Sequence, residues 1–138
     1  MQPQVRQLAT NVAIALNQLE VSDPETVVYN LLNNRQPEDR GCTLFTTEYE
    51  GDVITLRIGP SRYEFEPVAV FGRAQKLYCI SGIIEVVKGE KKEELRPGSQ
   101  VVAEEGDNLS GTAWSNFTVV EVNRSQSMDD GDTMAQVL

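Results

Sequence analysis

The sequence predicts a mainly β domain, a sandwich or barrel of short strands, with two helices before it and a polar tail after it. Three observations carry this expectation. Between Cys42 and Val122 the apolar residues recur with period two, in short runs separated by turn formers. Between residues 4 and 34 they recur at spacings of three and four. From Ser125 onward the chain is polar and acidic, and the tail is expected to be disordered.

In chain order, Val5, Leu8, Val12, Leu16 and Leu19 define one face of a first helix. After a break at Val21 and Ser22, Asp23, Pro24 and Glu25 provide a cap, a proline suited to a first helical position and an early acid. Val27, Val28, Leu31 and Leu32 line the second helix. Both helices are short and need a surface to pack on, either the main domain or a second chain. Residues 33–41 read as a polar connector. Ile54, Leu56 and Ile58 then alternate with Thr55 and Arg57, and Tyr63 and Phe65 with Glu64 and Glu66. Runs at 77–80 and 83–87 flank Ser81 and Gly82, and a charged hairpin tip follows at 88–92. A turn at 96–99, Val101 and Val102, and the run 117–122 complete roughly eight strands, the rhythm of an all-β sandwich or barrel. The organisation is a helical arm and connector over 1–40, a β-domain over 41–124 and a tail over 125–138. Asp129, Asp130 and Asp132 in that tail lack the spacing of a calcium loop.

The 138 residues carry 12 Lys and Arg against 21 Asp and Glu, a net charge of −9, which argues against nucleic acid or an anionic membrane as partner. Histidine is absent, which excludes histidine triads, imidazole bases and histidine-ligated metals. Cys42 and Cys79 stand in apolar strand-like stretches and read as buried free thiols. No run reaches the ~20 apolar residues of a membrane span, and the N-terminus lacks the basic start and apolar core of a signal peptide. The expected location is cytoplasmic. Within this acidic chain, Arg57, Arg62, Arg73 and Lys76 oppose only Glu64 and Glu66. They form either an anion-binding face or ordinary solvated charges on outward strand positions.

Residues 77–87, the charged hairpin and residues 95–102 resemble the centre of the cupin superfamily. Gly98 and Gly106 fall at the two glycines of the second cupin signature, and Gly82 at the glycine that closes the first. The positions that hold metal in the family are changed. Gln75 stands at the glutamate and Leu109 at a histidine, and the paired histidines fall on Ala69 and Phe71, or on Val68 and Val70. Glu104 replaces the proline and Ala113 the asparagine. The resemblance covers residues 53–122. It implies a double-stranded β-helix, or jelly-roll, barrel without a metal or other cofactor, and a homodimer.

Tyr63, Glu64 and Phe65, followed by the stretch 78–82, also look like small metal-free cupins that cleave nucleosides with phosphate. Two functions follow as expectations. One is a non-catalytic module that binds a small anionic or nucleoside-like ligand, or a protein through the N-terminal helices. The other is a nucleoside phosphorylase, with Arg57, Arg62, Arg73 and Lys76 clamping phosphate and Tyr63, Tyr78 or Trp114 stacking a ring. Its general acid would be Glu64, Glu66 or Glu85 if one is buried. The candidate ligand-binding residues are therefore Arg57, Arg62, Tyr63, Arg73, Lys76 and Tyr78, with no metal site.

Overall fold

The structure, a computed structural model, describes residues 3–69 and 75–124. The tail from 125 and the segment 70–74, which contains Arg73, Val70 and Phe71, lie outside the described residues. Two helices, α1 (Pro3–Gln18) and α2 (Pro24–Leu32), precede the strands β1 (Arg35–Asp39), β2 (Cys42–Tyr49), β3 (Asp52–Gly59), β4 (Glu64–Ala69) and β5 (Gln75–Ser81). The strands β6 (Ile84–Lys88), β7 (Lys91–Leu95), β8 (Gln100–Ala103), β9 (Asn108–Ala113) and β10 (Phe117–Arg124) follow.

The α2 start forms as its residues dictate. The Asp23 carboxylate accepts from the Thr26 backbone N–H and hydroxyl at 3.4 and 2.7 Å, ahead of Pro24 in the first turn. Both helices lie on the six-stranded sheet, ordered β1-β2-β3-β10-β5-β8, which faces a four-stranded sheet ordered β4-β9-β6-β7. All pairings described are antiparallel, so the two sheets make a β-sandwich of jelly-roll type.

The six-stranded sheet separates two cores. On its outer face Ile54, Leu56, Val120 and Val122 meet Val12, Leu16, Leu19 and Leu31 of the helices. On its inner face Leu77, Cys79, Phe117 and Val119 meet Ile84, Val86 and Leu109 of the smaller sheet. The helical stripe is thus covered within the chain: Val12 and Leu16 are fully buried and Leu19 nearly so, while Val5 alone of the five is 40% exposed. The Lys76 ammonium ties this layer down, donating to the Leu19 carbonyl at 3.2 Å with Glu20 at 3.8 Å. Among the described residues no helix is long and apolar enough to cross a membrane.

Residues 35–39, which read as a connector, instead form edge strand β1, paired with β2 across an irregular register. An edge position is where a strand containing Pro37 is tolerated, because one side needs no ladder donor. The glycines expected to close turns do so. Gly82, Gly98 and Gly106 all have φ near +90°, and a Cβ at Gly82 would collide with the Asn116 carbonyl oxygen. Both cysteines are buried and unbonded to each other. Burial pushes the Cys79 thiol up to about 11 and raises that of Cys42.

Candidate functional site in the barrel

Side chains alternate across each strand, so the burial of neighbours fixes which way a residue faces. In β3, Ile54 and Leu56 face the helices, which turns Arg57 into the barrel. In β10, Val120 and Val122 face the helices, and Val119 and Glu121 point inward. In β5 the inward residues are Gln75, Leu77 and Cys79, and the outward ones are Lys76 and Tyr78.

The barrel interior divides along its length. At one end Tyr63, Phe65 and Phe117 form an aromatic cluster with ring centroids 5.1–5.6 Å apart. Toward the other end lies a cavity walled by Phe65, Leu77, Ile84, Val86 and Leu109, with Gln75, Glu121 and Glu66 as its charged or amide members. It leaves about 20 Å³ for the centre of a water molecule. That exceeds the ~10–15 Å³ one water needs and is far short of a whole drug-sized ligand.

A polar chain connects this interior to the surface. Arg57 Nε donates to Glu121 Oε2 at 3.4 Å, and its Nη1 donates to the Tyr63 hydroxyl at 3.1 Å. That hydroxyl donates to Asp39 Oδ2 at 2.8 Å. Arg40 grips Asp39 through two hydrogen bonds of 3.1 and 3.2 Å, stacks on the Tyr63 ring at 4.7 Å and reaches Glu66 at 3.2 Å.

The electrostatics follow from these contacts. Burial works against the Arg57 charge, but Glu121 and Tyr63 outweigh it and the guanidinium is held above its ordinary value. The hydrogen bonds from Arg40 and then Tyr63 hold Asp39 below the usual carboxylate range. Burial, aided by the bond to Asp39, pushes the Tyr63 phenol up to about 12.

The structure brings together two of the six candidate ligand-binding residues, Arg57 and Tyr63, and does so inside the barrel. Lys76 and Tyr78 lie on the other side of β5, under α1. Arg62 is in the turn before β4 with φ +70°, its backbone N–H bonded to the Ala113 carbonyl and its side chain exposed. Arg73 lies outside the described residues. Of the candidate acids, Glu64 and Glu66 are exposed and Glu85 is half-buried. Trp114 is 57% exposed beyond the end of β9.

Glu121 was not among those candidates, yet at 7% exposure it is the buried carboxylate of the barrel. Its signal in the sequence is a lone acid inside the run Thr118, Val119, Val120, Glu121, Val122. Gln75, at 5% exposure, is the second buried polar residue, and no described residue hydrogen-bonds its amide.

Two of the positions at which the cupin resemblance places metal ligands, Gln75 and Leu109, line this cavity. They do not carry metal donors. Gln75 offers one neutral oxygen and Leu109 offers no lone pair, and no described group of three His, Cys, Asp or Glu residues could hold an ion.

No protein-family model matches the sequence, and no curated protein sequence matches it. Solved structures do. KdgF from Halomonas sp. superposes with a TM-score of 0.60 at 17% identity, over 67% of this chain and 86% of that one. An RmlC-like cupin from Shewanella frigidimarina gives 0.60 at 10% identity, over 67% and 83% of the two chains. The Schizosaccharomyces pombe Cnp3 cupin domain gives 0.56 at 9% identity, over 66% of each. At these identities the likeness concerns the fold, and it agrees with the antiparallel jelly roll. The chain has the fold of the cupin superfamily.

Proposed function

We propose that this protein is a metal-independent cupin that binds a small molecule non-catalytically, taking one polar end of it into the barrel beside Gln75 and Glu121. The observation that carries the reading is the burial of the Gln75 amide without a partner among the described residues, beside the Glu121–Arg57 ion pair, in an interior whose other side chains are mostly apolar and aromatic. Burying such groups is costly unless they are paired or used, so an all-apolar wall would suit a merely structural barrel better. The size of the cavity limits the inserted part to one or two heavy atoms, with the rest of the ligand outside.

Phosphorolysis of nucleosides is less favoured. It needs convergent cations, and Arg57 is committed to Glu121 while Lys76 is committed to the helix layer. A partner docking on the apolar stripe of α1 is also less favoured, because the barrel already covers most of that stripe.

The test is thermal unfolding of the full chain against nucleosides, nucleotides, inorganic phosphate, small acids, amines and polyols, with products followed by chromatography. Saturable stabilisation by one class without turnover supports the reading. Phosphate-dependent release of a base overturns it in favour of the phosphorylase.

A further inference from the structure

The cavity end of the barrel presents more acceptor oxygens than it uses. Glu121 is held by Arg57 through one oxygen at 3.4 Å, and the Gln75 amide has no partner among the described residues. Two positions beyond Glu121, on the same inner face of β10, the side-chain oxygen of Asn123 is buried without a hydrogen bond. Lys76 pairs with Val122 across the ladder, so Gln75 and Asn123 are at the same level of the sheet. Glu121 and Gln75 thus bring two acceptor groups to the wall of the cavity, and Asn123 stands beside Gln75 on the same face of the sheet, outside that wall.

Charge points the same way. In the polar chain, three carboxylates (Asp39, Glu66 and Glu121) face two guanidiniums (Arg40 and Arg57). The described wall of the cavity carries two of those carboxylates and no cation. Apart from Gln75 and Ser110, its remaining surface is apolar, supplied by residues such as Leu77, Ile84 and Leu109.

We propose that the ligand is a small aliphatic primary amine whose ammonium enters the barrel and donates to Glu121 and Gln75. This rests on the ligand-binding reading above. An ammonium brings three donors and no acceptor, matching a wall that carries two carboxylates and an amide oxygen. It is the size of the water-sized space, its charge offsets the surplus carboxylate, and the carbon that carries it is left to meet the apolar wall.

The test is calorimetric titration of the full chain with butylamine, butanol and butyrate, alongside thermal unfolding with each. Butylamine is expected to bind saturably and to raise Tm by roughly 10 °C at a hundredfold excess over Kd. Glu121→Gln is expected to weaken it roughly 10- to 100-fold. Should Glu121→Gln fold poorly, Gln75→Ala, expected to weaken butylamine by about tenfold, takes its place. Butanol binding as tightly as butylamine, or amine binding untouched by both variants, overturns the ammonium assignment and leaves the ligand-binding reading standing. No binding by any compound of either panel, together with a high-resolution crystal structure showing one water bonded to Gln75 and Glu121, overturns both.

Discussion

Replacing Arg57 by Met removes the counter-charge of Glu121 while keeping most of the side-chain volume. At the observed 3.4 Å and an effective dielectric near 20, the direct attraction is about 5 kcal/mol. Most of that offsets the cost of taking two charges out of water, so the pair adds little net stability as it stands. Breaking it on one side is different, because Glu121 is then left at 7% exposure with no cation. Such a break costs about 3–5 kcal/mol, and the 23% exposure of the Arg57 side chain places this case at the lower end, about 3 kcal/mol. Glu121→Leu together with Arg57→Met removes both charges and is expected within about 1 kcal/mol of the parent protein. Urea unfolding of the parent, both single variants and the double variant completes the cycle, with Cm and slope fitted separately. A loss below about 1 kcal/mol for Arg57→Met, with coupling below about 0.5 kcal/mol, is the behaviour of a pair in bulk water. That outcome refutes the argument that Glu121 is a costly, purposeful burial.

Four further outcomes are expected. Leu16→Ala empties a fully buried site between α1 and the sheet and costs about 3 kcal/mol in urea unfolding; a loss under about 1 kcal/mol means the helices are not part of the cooperative unit. Gly82→Ala forces its Cβ against the Asn116 carbonyl and costs more than Gly89→Ala, where nothing lies within 4 Å and the left-handed backbone alone contributes about 1–2 kcal/mol. The buried Cys79 thiol, pushed up to about 11, stays unreactive toward a thiol reagent at pH 8 until urea unfolds the chain. The Tyr63 phenol is raised from 10.0 to about 12, so its contribution to stability is complete below pH 10 and is lost as pH rises from 10 to 12. Tyr63→Phe is expected to remove that part of the alkaline slope, which pH-dependent unfolding measures.

How far the fold could be read from the residues depended on how each strand is covered. The helices were legible because Val12, Leu16 and Leu19 keep a helical spacing and Asp23 and Pro24 mark a start. Gly82, Gly98 and Gly106 located turns that only such a backbone closes. Strand β1 was hidden because Arg35, Gln36, Pro37, Glu38 and Asp39 contain no alternating apolar face. Strand β9 was hidden because its inward residues Leu109, Gly111 and Ala113 are mostly small.

The site was harder to read for a related reason. In a sheet with one wet face, Ile54 and Leu56 would mark the inside and Arg57 the outside. Here the helices cover the outer face, so the apolar positions of β3 belong to the helix contact and Arg57 lies in the barrel. Alternation reports that a strand has two faces, and it does not say which of two buried faces holds the charge. Nothing local distinguishes Lys76, which anchors the helix layer, from Arg57, which pairs inside. Only the pairing of β3, β5 and β10 tells them apart.

Strand β10 also determines where the chain tolerates changes of length. Its odd-numbered positions supply the barrel and its even-numbered positions supply the helix contact, so inserting or deleting one residue after Val119 would exchange the two sets. Glu121 would turn toward Leu16 and Val12, and a valine would face Arg57. A frame change of this kind damages two cores at once, whereas lengthening the exposed tip between β6 and β7 damages neither. Length variation among relatives of this chain is therefore expected in that hairpin and excluded from β10.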